Sequence, residues 1–217
     1  MYLMGKIVMV KKGKFIVIEG LDGSGKGTQI SLLADYIRKN GSQAYFTAEP
    51  TASSVGGLIR DALGGFVRRD AYELSALFLA DRIFHNANPK NGIKRYIADG
   101  IDVVCDRYYY SSFAYQGIDA DLDWVMKMNL ECKDIIKPDL CIFLDVDIDL
   151  CESRIKENRF DREIYENVEA QRRIRKRFFE VFDRIMENEN IKIVDASRTV
   201  PEVSADIIKI YKELKEN

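Results

Sequence analysis

A glycine-rich segment, GLDGSGK, is the feature that most restricts how this chain can fold. It follows residues 14–19, a short apolar run typical of a buried strand, and it precedes residues 26–40, where apolar side chains recur at helical spacing. Glycines let a loop wrap closely around an anion, so that backbone N–H groups and a helix N-terminus point at negative charge. The order of strand, GxxxxGK and helix therefore predicts a phosphate-binding loop whose lysine reaches the outer phosphates. The predicted loop consists of Gly20, Leu21, Asp22, Gly23, Ser24, Gly25 and Lys26.

The residue after the loop lysine departs from the usual pattern. A serine or threonine hydroxyl normally binds magnesium at this position. This chain has Gly27 there and places a hydroxyl one residue later, at Thr28. We therefore expect a metal to be held through Thr28 or through water, with Gly27 and Thr28 both close to the bound phosphates.

Further apolar runs alternate with helical segments along the rest of the chain. Strand-like runs occupy residues 44–47, 102–105, 140–144 and 191–194. Helical patterns occupy residues 71–86, 122–132 and 163–188. Such alternation predicts an α/β fold, a mostly parallel sheet covered by helices on both faces. In a chain of 217 residues without linker or repeat, we expect an N-terminal extension, residues 1–13, and a single domain, residues 14–217.

Charge and hydropathy exclude several kinds of partner. The 33 basic and 35 acidic side chains leave a net charge of −2, so no overall field attracts nucleic acid or an anionic membrane. The basic run at residues 172–177 is spread around a helix axis among acidic residues, and we interpret it as a solvated helix surface. No apolar stretch reaches the roughly 20 residues of a membrane-spanning helix. We expect neither nucleic acid nor membrane as a partner.

The four cysteines indicate the redox environment. Cys105, Cys132, Cys141 and Cys151 form no CxxC pair, and two of them fall in predicted strands. We therefore expect free thiols and a reducing compartment. Because the N-terminus also lacks a signal-peptide pattern, we expect a cytoplasmic protein.

The rest of the sequence disfavours several classes of phosphate chemistry. No guanine-reading NKxD motif occurs, and the strand-end aspartates, Asp106 and Asp145, are not followed by the glutamate of a motor ATPase. His85 is the only histidine, which leaves little for acid–base or zinc chemistry built on histidine. Phosphoryl transfer needs neither, because it depends on positioning and on neutralising charge.

Arginines that would neutralise this charge stand at selected places. Arg107 follows a predicted strand at the carboxyl edge, where parallel sheets bind ligands. Other arginines lie on helical segments or near a polar stretch, about residues 156–166, which we expect to fold over the phosphates as a lid. These further candidates are Arg60, Arg82, Arg154, Arg159 and Arg162.

Residues 106–117, DRYYYSSFAYQG, resemble the DRYxxSSxAYQG signature of thymidylate kinases. The similarity extends from about residue 14 to the C-terminus, through FIVIEGLDGSGKGTQ, the Glu49-Pro50 pair, LFLADR, KPDLCIFLDVD and VDAS. The resemblance implies the P-loop nucleoside-monophosphate kinase fold, a five-stranded parallel sheet with a short arginine-bearing lid. It further implies ATP- and Mg²⁺-dependent phosphorylation of dTMP to dTDP by a homodimer, with residues 71–86 as an apolar contact helix.

The resemblance also implies which side chains contact the nucleoside. Phe78 would stack on the thymine, although it shares a helical face with neighbouring leucines, a pattern that by itself indicates core. Arg82 would donate to a base carbonyl, and Ser112 and Gln116 would address the base edge. Tyr115 would lie against the sugar, where its bulk disfavours a 2′-hydroxyl.

A second implied group surrounds the phosphates. Arg60 and Arg107 would hold the acceptor phosphate, and Glu49 is expected among the substrate-binding residues. Asp22 and Asp106 would lie near the phosphates and magnesium. The implied metal ligands are Asp106 and Thr28. The implied catalytic residues are Lys26, Asp22, Arg107, Arg159 and Arg162.

Thymidylate kinases differ in whether the catalytic arginine lies in the P-loop or in the lid. This loop carries Ser24 and no arginine, so the resemblance implies that the lid supplies the charge. Arg159 and Arg162 are equal candidates on this basis. Arg154 is expected near the adenine.

Three alternatives stay open. The GKGTQ spelling at residues 25–29 is closer to adenylate kinases, although residues 106–117 and the short lid do not resemble that family. A kinase for another deoxynucleoside monophosphate is the second, because one or two side chains decide the base. The third is a catalytically silent protein of the same fold, which the presence of Lys26, Asp106, Arg107 and the lid arginines disfavours.

Overall fold

The computed structural model of the chain describes residues 12–158 and 168–216. In this part of the chain, five parallel strands form one sheet in the order β2-β3-β1-β4-β5. The strands are β1 (Phe15–Gly20), β2 (Ala44–Ala48), β3 (Asp102–Asp106), β4 (Leu140–Asp145) and β5 (Ile191–Asp195). The predicted α/β fold with a five-stranded parallel sheet is confirmed, and each predicted strand agrees with its observed bounds to within one residue.

Helices connect the strands. Within the described residues they are α1 (Lys26–Lys39), α2 (Ser54–Leu63), α3 (Ala71–Ala87), α4 (Ile93–Ala98), α5 (Tyr109–Tyr115), α6 (Leu122–Leu130), α7 (Ile148–Asn158), α8 (Val168–Ile185) and α9 (Val200–Glu216). Ser53, Asp70 and Asp121 cap α2, α3 and α6, each accepting a hydrogen bond from a backbone N–H three residues later at 3.0, 2.8 and 2.7 Å. Four helices were predicted from apolar spacing. Three are confirmed as α1, α3 and α6, and the described part of the fourth, predicted at residues 163–188, is confirmed as α8.

The core lies on both faces of the two central strands. All six residues of β1 and the first five of β4 are buried, as expected for parallel strands covered on both sides. The rings of Phe178 and Phe182 on α8 lie 4.8 and 5.2 Å from the ring of Phe143 on β4. Helix α8 also packs on α5, and α1 packs on α9. This packing holds the strand ends, and the loops that leave them, in fixed positions.

The four cysteines are unpaired, which confirms the prediction of free thiols. Cys105, Cys141 and Cys151 are buried, and Cys132 is half-buried. Burial raises the pKa of the Cys151 thiol to about 11, so this group is neutral at physiological pH.

The basic run at residues 172–177 lies on α8. Arg172, Arg173 and Lys176 are exposed, as predicted for a solvated surface. Arg175 instead donates two hydrogen bonds to the carboxylate of Asp145, at 2.7 and 2.8 Å. No helix in the described ranges combines the length and the apolar character needed to cross a membrane.

The carboxyl ends of the parallel strands meet at one edge of the sheet. Gly20 at the end of β1 pairs with Leu144 of β4, and Ala48 at the end of β2 pairs with Asp106 of β3. The segments that leave this edge include the glycine-rich loop, the cis peptide between Glu49 and Pro50, and the start of the DRY segment. Ligands of parallel α/β proteins bind at this edge, and the fold brings most of the predicted site residues to it.

Candidate active site

The glycine-rich loop is built around Lys26. Gly20, Gly23 and Gly25 have φ angles of 151°, 81° and 91°, which favour glycine. A Cβ on Gly23 would lie 2.5 Å from a backbone oxygen of α7, so a side chain does not fit there. Lys26 Nζ donates to the carbonyl oxygens of Gly20 and Leu21 at 3.0 and 2.9 Å. The N-terminus of α1 and the lysine therefore face the same loop, an arrangement that suits an anion.

The hydroxyl groups near the loop have different surroundings. Ser24 is 2% exposed, and its Oγ has no hydrogen-bond partner among the described residues. Gly27 and Thr28 are exposed in the first turn of α1. The predicted metal-binding hydroxyl of Thr28 is therefore accessible beside the loop.

Arg107 connects the loop to the cleft beside it. Its backbone is left-handed, with φ of 66°, and its guanidinium forms an ion pair with Asp22 of the loop. It also donates to the hydroxyls of Ser111 and Tyr115, at 3.1 and 3.2 Å. Burial opposes the charge of Arg107, but Asp22 and other anionic neighbours keep its pKa well above the ordinary value. Burial, together with repulsion from Arg107, lowers the pKa of Lys26.

Glu19 holds the backbone after Arg107, and sequence reasoning missed it. Its fully buried carboxylate, at the end of β1, accepts hydrogen bonds from the N–H groups of Tyr108 and Ser111 at 2.8 and 3.1 Å. It also accepts from the Ser111 hydroxyl at 2.7 Å. Burial raises the pKa of Glu19, and the charge of Arg107 opposes this shift. The available sequence signal is an acid within an otherwise apolar strand, directly before Gly20.

A cleft opens beside this ion pair. Its lining includes every predicted acceptor-site residue except Arg60 and Ser112. Phe78 is half-buried in the cleft wall and also packs on the buried cluster of Ile59, Ala62 and Leu74. Its position is therefore compatible with stacking on a base and also with a role in the core. The lining residues are Asp22, Glu49, Leu63, Phe78, Arg82, Arg107, Tyr108, Ser111, Tyr115 and Gln116.

Arg82 is held in the cleft wall by three other side chains. It is 1% exposed and donates from Nε to Glu49 at 2.8 Å, from Nη1 to Asn129 at 2.5 Å and from Nη2 to Ser112 at 3.2 Å. Glu49 also contacts His85 Nδ1 at 3.0 Å. The predicted residues Glu49, Arg82 and Ser112 are thus parts of one buried network, and Asn129 is a member that sequence reasoning missed.

The segment after Glu49 is tied to α3 by Asp81, another residue missed from sequence. The carboxylate of Asp81 accepts from the Thr51 N–H at 2.7 Å and from the hydroxyls of Thr51 and Ser53 at 2.6 Å each. Arg60 is exposed in the last turn of α2 and donates to the Thr51 carbonyl at 2.6 Å. Arg60 is thus attached to this segment by a hydrogen bond and is not among the residues that line the cleft.

Asp106 is the candidate metal ligand at the end of β3. Its Oδ1 is buried without a hydrogen-bond partner in the described part of the chain. One carboxylate beside a phosphate loop suits Mg²⁺, which proteins commonly hold through one or two carboxylates, water and substrate phosphates. Residues 12–158 and 168–216 contain no group of three or more His, Cys, Asp or Glu side chains that could hold a metal alone. The donor set therefore fits a metal that binds together with phosphates.

Arg154 lies between the loop and the segment after β5. Its guanidinium is 3.5 Å from the carbonyl oxygens of Gly23 and Ala196. The predicted lid arginines, Arg159 and Arg162, lie outside the described residues, as does most of the predicted lid at 156–166.

Known proteins similar to this chain agree on one family. Residues 18–207 match the family model for thymidylate kinase. A probable thymidylate kinase of Methanococcus aeolicus is 40% identical over 206 residues, covering 93% of this chain and 97% of the relative. The thymidylate kinase of Plasmodium falciparum is 35% identical over 94% of this chain and 92% of its own length. A solved thymidylate kinase structure from Candida albicans covers 94% of this chain and 93% of its own, with a TM-score of 0.78 and 25% identity. Together with the loop and the cleft beside it, these similarities mean that the chain belongs to the thymidylate kinase family.

Proposed function

We propose that the glycine-rich loop holds ATP, that the adjoining cleft holds dTMP, and that the two nucleotides meet at Arg107. As a thymidylate kinase, the chain phosphorylates dTMP to dTDP. The placement is supported by the ion pair between Asp22 and Arg107, because Arg107 also bonds Tyr115 in the cleft. Donor and acceptor would lie on either side of this charged pair, close enough for direct transfer.

The transfer requires charge neutralisation rather than a catalytic base. A phosphate oxygen of dTMP, already anionic at neutral pH, attacks the γ-phosphorus of ATP while the bond to the β,γ-bridging oxygen breaks, giving dTDP and ADP. Lys26 would neutralise the outer donor phosphates, and Arg107 the acceptor phosphate. Asp22 would keep the guanidinium of Arg107 oriented between them. Arg60 would join the acceptor phosphate from the segment it now contacts.

We assign Mg²⁺ to the same region. The unpartnered Oδ1 of Asp106 fits such an ion, directly or through water, and the exposed hydroxyl of Thr28 lies on the first turn of the adjoining helix. Held by Asp106 and Thr28, Mg²⁺ would supply positive charge that offsets the negative charge of the donor phosphates. Arg154, next to Gly23 and Ala196, would face the adenine side of the donor.

Base selection would come from the opposite wall of the cleft. Phe78 offers a stacking surface, and the 3%-exposed Gln116 lies in the lining. Glu49 and Asn129 fix the plane of the Arg82 guanidinium, so its remaining Nη1 hydrogen would approach a base in one orientation. A base that cannot pair leaves buried polar groups unsatisfied, at about 1–3 kcal/mol each.

A panel of acceptors tests this function. With ATP and Mg²⁺ in a coupled assay, we expect the highest kcat/KM for dTMP, a lower value for dUMP, and values at least roughly a hundredfold lower for dCMP, dGMP and AMP, because each mismatched group leaves a buried partner unpaired. Omission of Mg²⁺ is the control for metal dependence. A preference for AMP would indicate adenylate kinase activity, and absence of turnover with every acceptor would indicate a silent protein.

We also propose a cytoplasmic homodimer that pairs through α3. Its solvent-facing stripe is apolar: Tyr72 and Phe84 are 48% and 49% exposed at the two ends, and Ala76 and Ala80 are exposed between them. Small residues between aromatic ones allow two helices to approach closely. The free thiols suit a reducing cytoplasm, which cell fractionation would test.

Charge introduced into the centre of this stripe is expected to break the dimer. Ala80→Glu would bury an unpaired carboxylate in the interface, and we expect light scattering after size-exclusion chromatography to give the monomer mass at micromolar concentration. Lys209→Glu, an exposed change on α9, is the matched control and should keep the dimer mass. A monomeric wild type, or a dimeric Ala80→Glu variant, would contradict the proposed interface.

A further inference from the structure

His85 is a buried side chain that takes no part in the proposed transfer. It lies on α3, three residues after Arg82, and is 6% exposed. Both of its ring nitrogens have partners: Nδ1 lies 3.0 Å from Oε1 of Glu49, and Nε2 lies 2.8 Å from Oγ1 of Thr47. A position in the core needs only a group of the right shape, whereas a ring bonded through both nitrogens is also fixed in orientation.

The two contacts give the direction of the hydrogen bonds. A carboxylate only accepts hydrogen bonds, so we assign the ring proton to Nδ1, which donates to Glu49. In the neutral ring Nε2 is then an acceptor, and it receives the hydroxyl hydrogen of Thr47. Thr47 belongs to β2, which lies at one side of the sheet. His85 therefore connects the sheet to the carboxylate of Glu49.

The carboxylate of Glu49 stands between His85 and Arg82. It is part of a residue only 4% exposed, and each of its oxygens has a partner of its own. Oε1 bonds His85, while Oε2 accepts from Nε of Arg82 at 2.8 Å and lies 2.6 Å from Nη2. Because both oxygens are held, the carboxylate cannot turn without breaking a contact between buried groups. Loss of the bond to His85 would free one oxygen and leave it unpaired.

The position of Glu49 sets the plane of the Arg82 guanidinium in the cleft wall. Glu49 and Arg82 both line the cleft. Glu49 occupies the side of the guanidinium formed by Nε and Nη2, and the remaining hydrogen of Nη1 is the donor that the proposed function directs at a base. A carboxylate that turns would let this donor turn with it. The orientation of the donor thus depends on His85.

We propose that His85 is a positioning residue for base selection, which acts through Glu49 on Arg82. His85 is not among the residues that line the cleft, so it contributes without touching the substrate. Its effect is on binding of the base, because the phosphates meet elsewhere, at Arg107. The proposal rests on the placement of dTMP in the cleft described above.

Replacement of His85 by leucine removes both hydrogen bonds and tests this role. We expect His85→Leu to raise the KM for dTMP about tenfold, the usual effect of one lost hydrogen bond to a charged group, and to change kcat by less than about threefold. Cytosine carries an amino group in place of one thymine carbonyl, and a donor that turns distinguishes the two less well. The ratio of kcat/KM for dTMP to that for dCMP should therefore fall about tenfold, with the KM for ATP unchanged.

Two amide side chains separate the roles of the two ring nitrogens. His85→Asn presents an amide N–H near the position of Nδ1 and can still hold Glu49, so the KM for dTMP should stay within about twofold of the wild-type value. His85→Gln reaches the position of Nε2 instead, where it meets Thr47, and should behave like His85→Leu. Thr47→Val keeps the shape of the side chain and the bond between His85 and Glu49, so it should raise the same KM by a smaller factor.

Tyr211→Phe is the matched structural control. The Tyr211 hydroxyl donates to the buried carboxylate of Asp102 at 2.7 Å, where β3 begins, at the opposite edge of the sheet from the cleft. This variant also loses one hydrogen bond to a buried carboxylate, so it should lower Tm about as much as His85→Leu does. Its kcat/KM for both acceptors should stay at the wild-type values.

Two results would overturn the role of His85. One is a wild-type KM for dTMP in His85→Leu. The other is an equal loss of kcat/KM for dTMP and dCMP, with His85→Asn no better than His85→Gln; the Asn and Gln variants decide alone if His85→Leu does not fold. A wild type that phosphorylates neither acceptor would instead contradict the function proposed above, so the two failures are distinguishable.

Discussion

Arg107→Gly is expected to lower kcat for dTMP phosphorylation by at least about a thousandfold, the scale of an arginine that acts on a transferring phosphoryl group. The change removes the guanidinium that joins Asp22 of the loop to Tyr115 of the cleft. Glycine is the informative replacement because the backbone at this position has φ of 66°. A side chain in this left-handed region costs roughly 1–2 kcal/mol, which glycine avoids. Steady-state kinetics and urea unfolding on the same protein would separate lost chemistry from lost stability.

Two further substitutions complete this experiment. Arg107→Lys keeps the charge but cannot bridge Asp22, Ser111 and Tyr115 at once, so we expect kcat between those of Arg107→Gly and the wild type. Arg95→Ala removes an exposed arginine that pairs with Asp99 at 2.7 Å on α4, and should leave kcat unchanged. A kcat for Arg107→Gly above one tenth of the wild-type value would contradict a role for Arg107 in neutralising the charge of the phosphates.

The three central strands, β1, β3 and β4, were predictable because burial on both faces leaves a continuous apolar run. Several helices were harder to predict from sequence, and the reason differs from one helix to the next. Six of the seven residues of α5 are buried, including Tyr109 and Tyr110, so no polar face marks its period. Helix α4 has only six residues, too few for a periodic pattern. In α9 the signal was present, since Val203, Ile207 and Tyr211 recur at four-residue spacing.

The predicted site residues came from the spacing of the glycine-rich loop and from the family resemblance, whereas the missed ones act through distant contacts. Glu19 bonds Ser111, and Asp81 bonds Thr51, which are 92 and 30 positions away in sequence. Asn129 reaches Arg82 across 47 positions. No motif length covers such separations, so only the folded chain reveals these partners.

Arg82 illustrates what a motif leaves undetermined. The resemblance predicts a contact between its guanidinium and a base, and the structure does place Arg82 in the cleft wall. Glu49, Asn129 and Ser112 already take three of its donor positions. The division of its donors between protein and substrate depends on burial and geometry, which sequence spacing does not encode.

Arg159→Ala and Arg162→Ala form the second prediction of large effect. We expect at least one of them to lower kcat by about a hundredfold or more, with little change in dTMP affinity measured by calorimetry. Both residues lie outside the described ranges. The expectation is therefore argued from the charged side chains in and beside the phosphate loop. Lys26 is the cation within the loop, Ser24 stands there without an arginine, and Arg107 is paired with Asp22. In line with the family resemblance, we propose that a further cation for the transferring phosphoryl group comes from the lid.

The exposed arginine just after the lid supplies the control for this prediction. The side chain of Arg173 is 59% exposed and lies 3.8 Å from Asp119. Arg173→Ala therefore removes one positive charge, as each lid variant does, but from a side chain that is not expected to contact the phosphates. Its kcat should stay at the wild-type value, because exposed ion pairs contribute little. The two single variants also decide between Arg159 and Arg162, since only a group that meets the transferring phosphoryl lowers kcat without weakening dTMP binding. Near-normal kcat in both would contradict a lid arginine and leave Lys26 and Arg107 to neutralise the charge alone.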